Sequence, residues 1–285
     1  MGIGYQQTDR FVVDYDLWFA DDGKIAFRGP RFDLGSRDAV CFIGAAQTFG
    51  RFAERPYPEI LRSLTGRAVW NLGFSGAGPQ YFLKNDFLMG LVERAETVVI
   101  QCMSARSITA GCFRVGTNFG VLEFVNGPLK GQSHMAQNAY ALLRKQYGED
   151  VFNEQIGLVQ SAWIELYTEL IGRIPGKKIL FWLSRVKPGA NLTLHNSSVG
   201  EFPHFVTEGM VRQVASLCDS YADATFEGTV EHVLRDDHTR EVVQVFNEKQ
   251  FPKRPDKLRC INNYYPTPQM HEFAASVLYP VLVRR

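Results

Sequence analysis

Four runs of nearly unbroken apolar character, Ala39 to Ile43, Ala68 to Leu72, Thr97 to Cys102 and Lys178 to Leu183, constrain the fold of this chain more than any other feature. A strand that meets water on neither face reads this way, and a sheet made of such strands must be parallel and covered by helices on both sides. Helical spacing fills the gaps, over about Pro58 to Leu64 and about Pro79 to Met89. A weaker strand near Ala222 to Phe226 brings the count to about five. The expected fold is α/β, a three-layer α/β/α sandwich on a parallel sheet of about five strands.

The other segments attach to this frame. Residues 1–37 are aromatic and turn-rich and are expected to form an N-terminal apron packed on the core, with 38–285 as a single domain. From Met103 the pattern loosens into an insertion at about 103–150, after a strand's C-terminal end, where α/β proteins build ligand sites. It ends in a helix near Met135 to Tyr147. A long helix follows from about Asn153 to Ile174, whose Ile156, Val159, Trp163, Leu166, Leu170 and Ile174 form one apolar stripe. Pro175 and Gly176 stop it. A helix from about Thr207 to Cys218 and a last one from about Pro268 to Leu282 complete the reading.

Lys and Arg total 31 against 30 Asp and Glu, with no long block of either sign, so nucleic acid and anionic membranes are not expected partners. A small molecule or glycan fits this balance better than a polyanion, and homo-oligomer formation stays open. The start of the chain lacks a basic segment followed by an apolar one, and no apolar run is long enough to span a bilayer, which reads as a soluble cytoplasmic protein. Five widely spaced cysteines without a C-x-x-C pair argue against a disulfide framework or a zinc site. The histidines His134, His195, His204 and His232 show no ligand spacing, so neither metal nor cofactor is expected.

The candidate site lies where three of the strands end. "FIGAAQTFG" offers backbone donors at Ala45 and Ala46 and the side chains of Gln47 and Thr48. "NLGFSGAGP" offers Gly73 and Ser75, and "QCMSARS" offers Ser104 and Arg106. The glycines Gly73, Gly76 and Gly78 sit between strand and helix as in a dinucleotide fingerprint, but their order is off-pattern and no acid follows the third strand to hold a ribose. An anion or carbonyl pocket therefore ranks above a nucleotide site. "RDDH", with Asp236, Asp237 and His238, reads as a solvated face.

"GAAQTFG", "NLGFSGAG", "VVIQCMSAR" and the C-terminal "NNYYPTPQMHEFAASVL" together resemble, in order and spacing, the conserved blocks of the SGNH (GDSL-type) hydrolases. The resemblance implies an SGNH-like fold, with Gly44 and Thr48 matching the first block and Gly73 the oxyanion glycine. It also implies that the serine position is Ala46, the histidine position Tyr265 and the aspartate position Asn262, so the triad is replaced; His271 is not at the catalytic position. Parts of the chain also resemble an uncharacterised family of proteobacterial proteins linked to polysaccharide biosynthesis.

The function expected on these grounds is binding, and modification by a route other than serine catalysis, of an acylated sugar or another polar, acidic ligand. Ala46, Gln47, Thr48, Gly73, Ser75, Ser104, Arg106 and Tyr265 are the expected contacts, and no catalytic residue is assigned. A noncatalytic glycan- or partner-binding protein and a nucleotide-dependent transferase are the alternatives.

Overall fold

The computed structural model of the chain describes residues 9–36, 38–116, 120–190, 199–228, 231–243 and 260–284. Residues 1–8, His195 and the sequons at Asn191 and Asn196 lie outside the described residues.

In chain order the elements begin with a hairpin, β1 (Trp18–Ala20) and β2 (Ile25–Phe27), then β3 (Val40–Gly44), α1 (Ala46–Phe49), α2 (Tyr57–Thr65) and β4 (Val69–Gly73). Next come α3 (Pro79–Leu83), α4 (Asp86–Arg94) and β5 (Thr97–Gln101). The insertion holds β6 (Phe113–Val115), β7 (Val121–Phe124) and β8 (Ser133–Met135), and α5 (Ala136–Gly172) leads into β9 (Lys177–Ser184). The chain closes with α6 (Glu208–Ala215), β10 (Ser220–Thr225), β11 (His232–Val233), β12 (Ile261–Asn262) and α7 (Pro268–Val283).

Five of these strands form one parallel sheet in the order β10-β9-β5-β3-β4. Side chains alternate between two covered faces, as the period of two demands. Cys41, Ile43, Trp70, Leu72, Val98, Ile100, Leu180 and Trp182 join the core under α4, α5 and α6, while Val40, Phe42, Val69, Val99, Ile179, Phe181 and Leu183 join the one under α2 and α7. The three-layer sandwich follows directly from this alternation. No described helix is long and apolar enough to cross a membrane.

Several boundaries differ from the sequence reading for local reasons. The expected helix from Pro79 to Met89 is two helices, because the Asn85 side chain accepts from Leu88 N (3.0 Å) and starts a new one. The two helices expected around residues 135–174 run into one span, interrupted where Gly148 takes φ +86°. The insertion is not loose chain: β6, β7 and β8 form an antiparallel sheet whose Phe113 packs on Phe124 and on Tyr140 of α5, all three in the core.

Arg28 is a main tie between segment 9–36 and the turn after β3, beside the Arg51–Asp9 pair and the Phe52 N–H donated to the Tyr15 hydroxyl (3.1 Å). Arg28, almost fully buried, donates to the carbonyls of Phe49 (3.2 Å), Gly50 (2.7 Å), Ala53 (2.6 Å) and Glu54 (2.8 Å), and its guanidinium lies over the rings of Tyr15 and Phe49. These carbonyls lie at and just beyond the C-terminus of α1, where helix acceptors lack intrahelical donors.

Candidate ligand site at the strand ends

The order of the sheet reverses between β3 and β5, and in open α/β sheets ligands bind in the crevice outside the strand ends at such a point. What the chain places there is decided by side chains that fix the ends of β3 and β5. Gln101, the last residue of β5, accepts through Oε1 from Ala45 N (2.9 Å) and Thr48 Oγ1 (2.6 Å). Because Thr48 donates its only hydroxyl proton to Gln101, it accepts from the Tyr57 hydroxyl (2.9 Å). The Thr48 oxygen is thereby a fully buried link in the core, its proton committed.

Gly44 and Gly73 are glycines for want of space. A Cβ on Gly44 would stand 2.1 Å from Thr48 Oγ1 and 2.3 Å from Gln101 Oε1, and one on Gly73 would stand 2.1 Å from Phe49 N. The Gly73 N–H is donated to Asn71 Oδ1 (3.0 Å), while Asn71 Nδ2 donates to Thr48 O (3.1 Å). Ala46 and Gln47 are buried, and Gln47 Oε1 has no partner among the described residues. Ser75 is exposed.

The position of the residues after β5 is set by α5. Tyr167 OH donates to Gln101 O (2.6 Å) and accepts from Met103 N (2.7 Å), and Trp163 Nε1 donates to Met103 O (2.8 Å). The chain then enters a 3₁₀ turn, Ala105–Ser107, with Ser104 as its cap. Here the structure supplies a partner that the sequence reading missed. Ser104 Oγ lies 2.9 Å from His204 Nδ1, and Arg106 Nη1 lies 3.1 Å from His204 Nε2.

A serine beside an imidazole suggests a nucleophile and its base, but the hydrogen bonds run the other way. Arginine is a donor only, so His204 Nε2 must be the acceptor; a neutral imidazole then carries its proton on Nδ1 and donates it to Ser104 Oγ. Burial, with the Arg106 charge added, holds His204 well below the ordinary histidine range, which keeps the ring neutral. The ring stacks on Tyr264 at 6.2 Å. Since Arg106 N also donates to Ser104 Oγ (3.3 Å), both lone pairs of that oxygen are used and only its proton is left to give.

The remaining candidates fall in a neighbouring network. Tyr265 OH accepts from Arg51 Nη1 (2.9 Å), and Arg51 also pairs with buried Asp9 through Nε (2.7 Å) and Nη2 (3.0 Å). Asn262 accepts through Oδ1 from Tyr264 N and Tyr265 N and donates Nδ2 to Tyr265 O, so its side chain shapes the backbone turn that holds both tyrosines. His271 is fully buried, accepting through Nδ1 from Tyr57 N (3.2 Å). In "RDDH", Asp236 accepts from His238 N and Thr239 N in an Asx turn. Burial pushes the thiols of Cys41 and Cys102 up and out of the reactive range.

A parallel sheet in this order, covered on both faces, defines an α/β/α protein of the flavodoxin or SGNH-like arrangement. Within that class the chain belongs to the family described as Domain of unknown function (DUF6473), which matches residues 3–118 and 134–285. Among solved structures it is similar to Axe2, an acetylxylan esterase from Geobacillus stearothermophilus, at 14% identity over 88% of this chain and 97% of that one, with a TM-score of 0.40. It is also similar to a carbohydrate esterase family 2 enzyme with a carbohydrate binding domain from Corynascus thermopiles (Myceliophthora fergusii), at 12% identity over 90% of this chain and 68% of that one, with a TM-score of 0.42. No curated protein sequence matches the chain.

Proposed function

We propose that this chain is an SGNH-like protein without a serine-hydrolase triad, which binds a small acidic ligand outside the ends of β3, β4 and β5. The direction of the Ser104–His204 hydrogen bond carries the reading: the imidazole donates to the serine, so it cannot take the serine's proton as a general base must. Ala46 brings no oxygen to the first turn, and the Thr48 proton is held by Gln101. Arg106 and the Ser104 hydroxyl are the ligand contacts in this reading, with Ala46, Gln47, Thr48 and Gly73 behind them, Ser75 at the rim and Tyr265 on the C-terminal side. An acidic or acylated sugar in the cytoplasm suits the near-neutral charge of the chain and the arginine at the site.

Fluorophosphonate probes should leave the protein unlabelled, and p-nitrophenyl acetate hydrolysis should stay at background. Stoichiometric labelling of Ser104 by intact-mass analysis and peptide mapping would overturn the reading. Arg106→Gln keeps a donor for His204 while removing the charge. It should weaken binding of sulfate or phosphate tenfold or more, about 1.4 kcal/mol, and leave the melting temperature nearly unchanged. A large loss of stability with unchanged anion binding would make Arg106 a structural residue instead.

A further inference from the structure

We propose that Arg185 is the second arginine of this site and that, with Ser104, Arg106 and Tyr264, it forms a donor-only clamp for a tetrahedral oxyanion, a sulfate or phosphate group. The inference rests on the acidic-ligand reading and adds a residue and a ligand class to it. Arg185 directly follows the last residue of β9, the strand that pairs with β5, so it stands at the adjacent strand end. One side of its guanidinium is fixed, with Nη1 donating to the carbonyl of Asn263, the residue before Tyr264. The other side is not: Nη2 is buried and has no partner among the described residues. A guanidinium does not shed its proton, so this buried N–H, without an acceptor among the described residues, is one that an oxyanion would satisfy.

The other members of the cluster are also left with protons to give. Ser104 has spent both lone pairs and keeps its O–H. Arg106 spends one N–H on His204 and lies against the Tyr264 hydroxyl, whose phenol burial keeps protonated. Arg185 is within electrostatic reach of the same tyrosine. A sugar hydroxyl would need an acceptor for its own proton, whereas an oxyanion needs donors alone. These donors come from three segments, the ends of β5 and β9 and the turn after β12, rather than from a single planar fork. That suits a group with oxygens on several sides better than a flat carboxylate. Glu201, a carboxylate that acts on Arg185 and Tyr264, is exposed, so its charge is screened by solvent.

The test is a thermal titration of the full chain with sodium sulfate, sodium phosphate and sodium acetate at constant ionic strength, run on wild type, Arg106→Gln and Arg185→Gln. Sulfate and phosphate strengthen burial in any protein, so the readout is the difference between chains at each anion concentration. Sulfate and phosphate should stabilise the wild type more than either variant, with apparent affinity at least tenfold lower in Arg185→Gln, and acetate should show a much smaller difference. An anion response lost in Arg106→Gln but intact in Arg185→Gln overturns the role of Arg185 and leaves the acidic-ligand reading standing. All three chains shifting alike overturns both, and acetate matching sulfate overturns the tetrahedral class. If Arg185→Gln does not fold, phenylglyoxal modification of the wild type decides the matter by peptide mapping: protection of Arg185 by sulfate supports the clamp, and equal modification with and without sulfate overturns it.

Discussion

Acid should unfold this protein well before its carboxylates are all protonated, and His271 should account for much of the loss. Burial, with the charges of Arg28 and His232 added, lowers its pKa from 6.5 to about 3 in the folded chain. The unfolded chain takes up a proton on His271 as the pH falls through about 6.5, whereas the folded chain does not until about pH 3. Stability is therefore full above 6.5 and drains away as the pH drops towards 3, because the unfolded state binds the extra proton. The slope from this one group is on the order of 1 kcal/mol per pH unit, roughly 5 kcal/mol across the window. His204, lowered in the same direction, adds to it. Denaturant unfolding at several pH values should show the slope reduced in His271→Gln, whose amide can still accept from Tyr57 N. Parallel curves for wild type and variant would remove His271 as the cause.

Arg28→Ala should be the most damaging single truncation outside the apolar core. It removes four hydrogen bonds to carbonyls at and just past the end of α1, of which Gly50 O keeps the Ala53 N–H as a donor and Glu54 lies at the surface, and opens a gap beneath Tyr15 and Phe49. Unmet buried acceptors cost about 1–3 kcal/mol each, so a loss of ~3–5 kcal/mol is expected even after partial relaxation and water entry. That is a large part of the total stability of an ordinary domain. Arg28→Lys should recover only a fraction, since one ammonium cannot reproduce the planar fork. A melting temperature within a few degrees of wild type for Arg28→Ala would show that the turn holds itself.

The central strands were legible because each is a short apolar run that no amphipathic element would produce, and all five strands of the sheet fall within two residues of where the sequence places them. The fifth, β10, lies at the sheet edge; "SYADAT" alternates, and its signal is correspondingly weak. The three-residue strands of β1, β2, β6 and β8 were not legible, since a pattern of period two needs more residues than that to declare itself. At the site, Ser104 and Arg106 could be found because they follow a recognisable strand. The same rule applied to β9 points to Arg185 straight after "FWLS". His204 was out of reach: its bond to Ser104 spans 100 residues of sequence, and "FPHF" looks like any aromatic turn.

Arg51 holds Asp9 on one side and Tyr265 on the other, partners 42 and 214 positions away. A ribosome releases the first two of these residues long before the third. Until Tyr265 emerges, the nascent chain carries the Asp9–Arg51 pair with its outer cover missing, and the turn after β3 must persist half-assembled through most of synthesis. Contacts of such span slow folding because the intervening chain has to be ordered first. Chains stalled before residue 265 should accordingly be cut by protease within the first 55 residues, whereas the completed protein resists there.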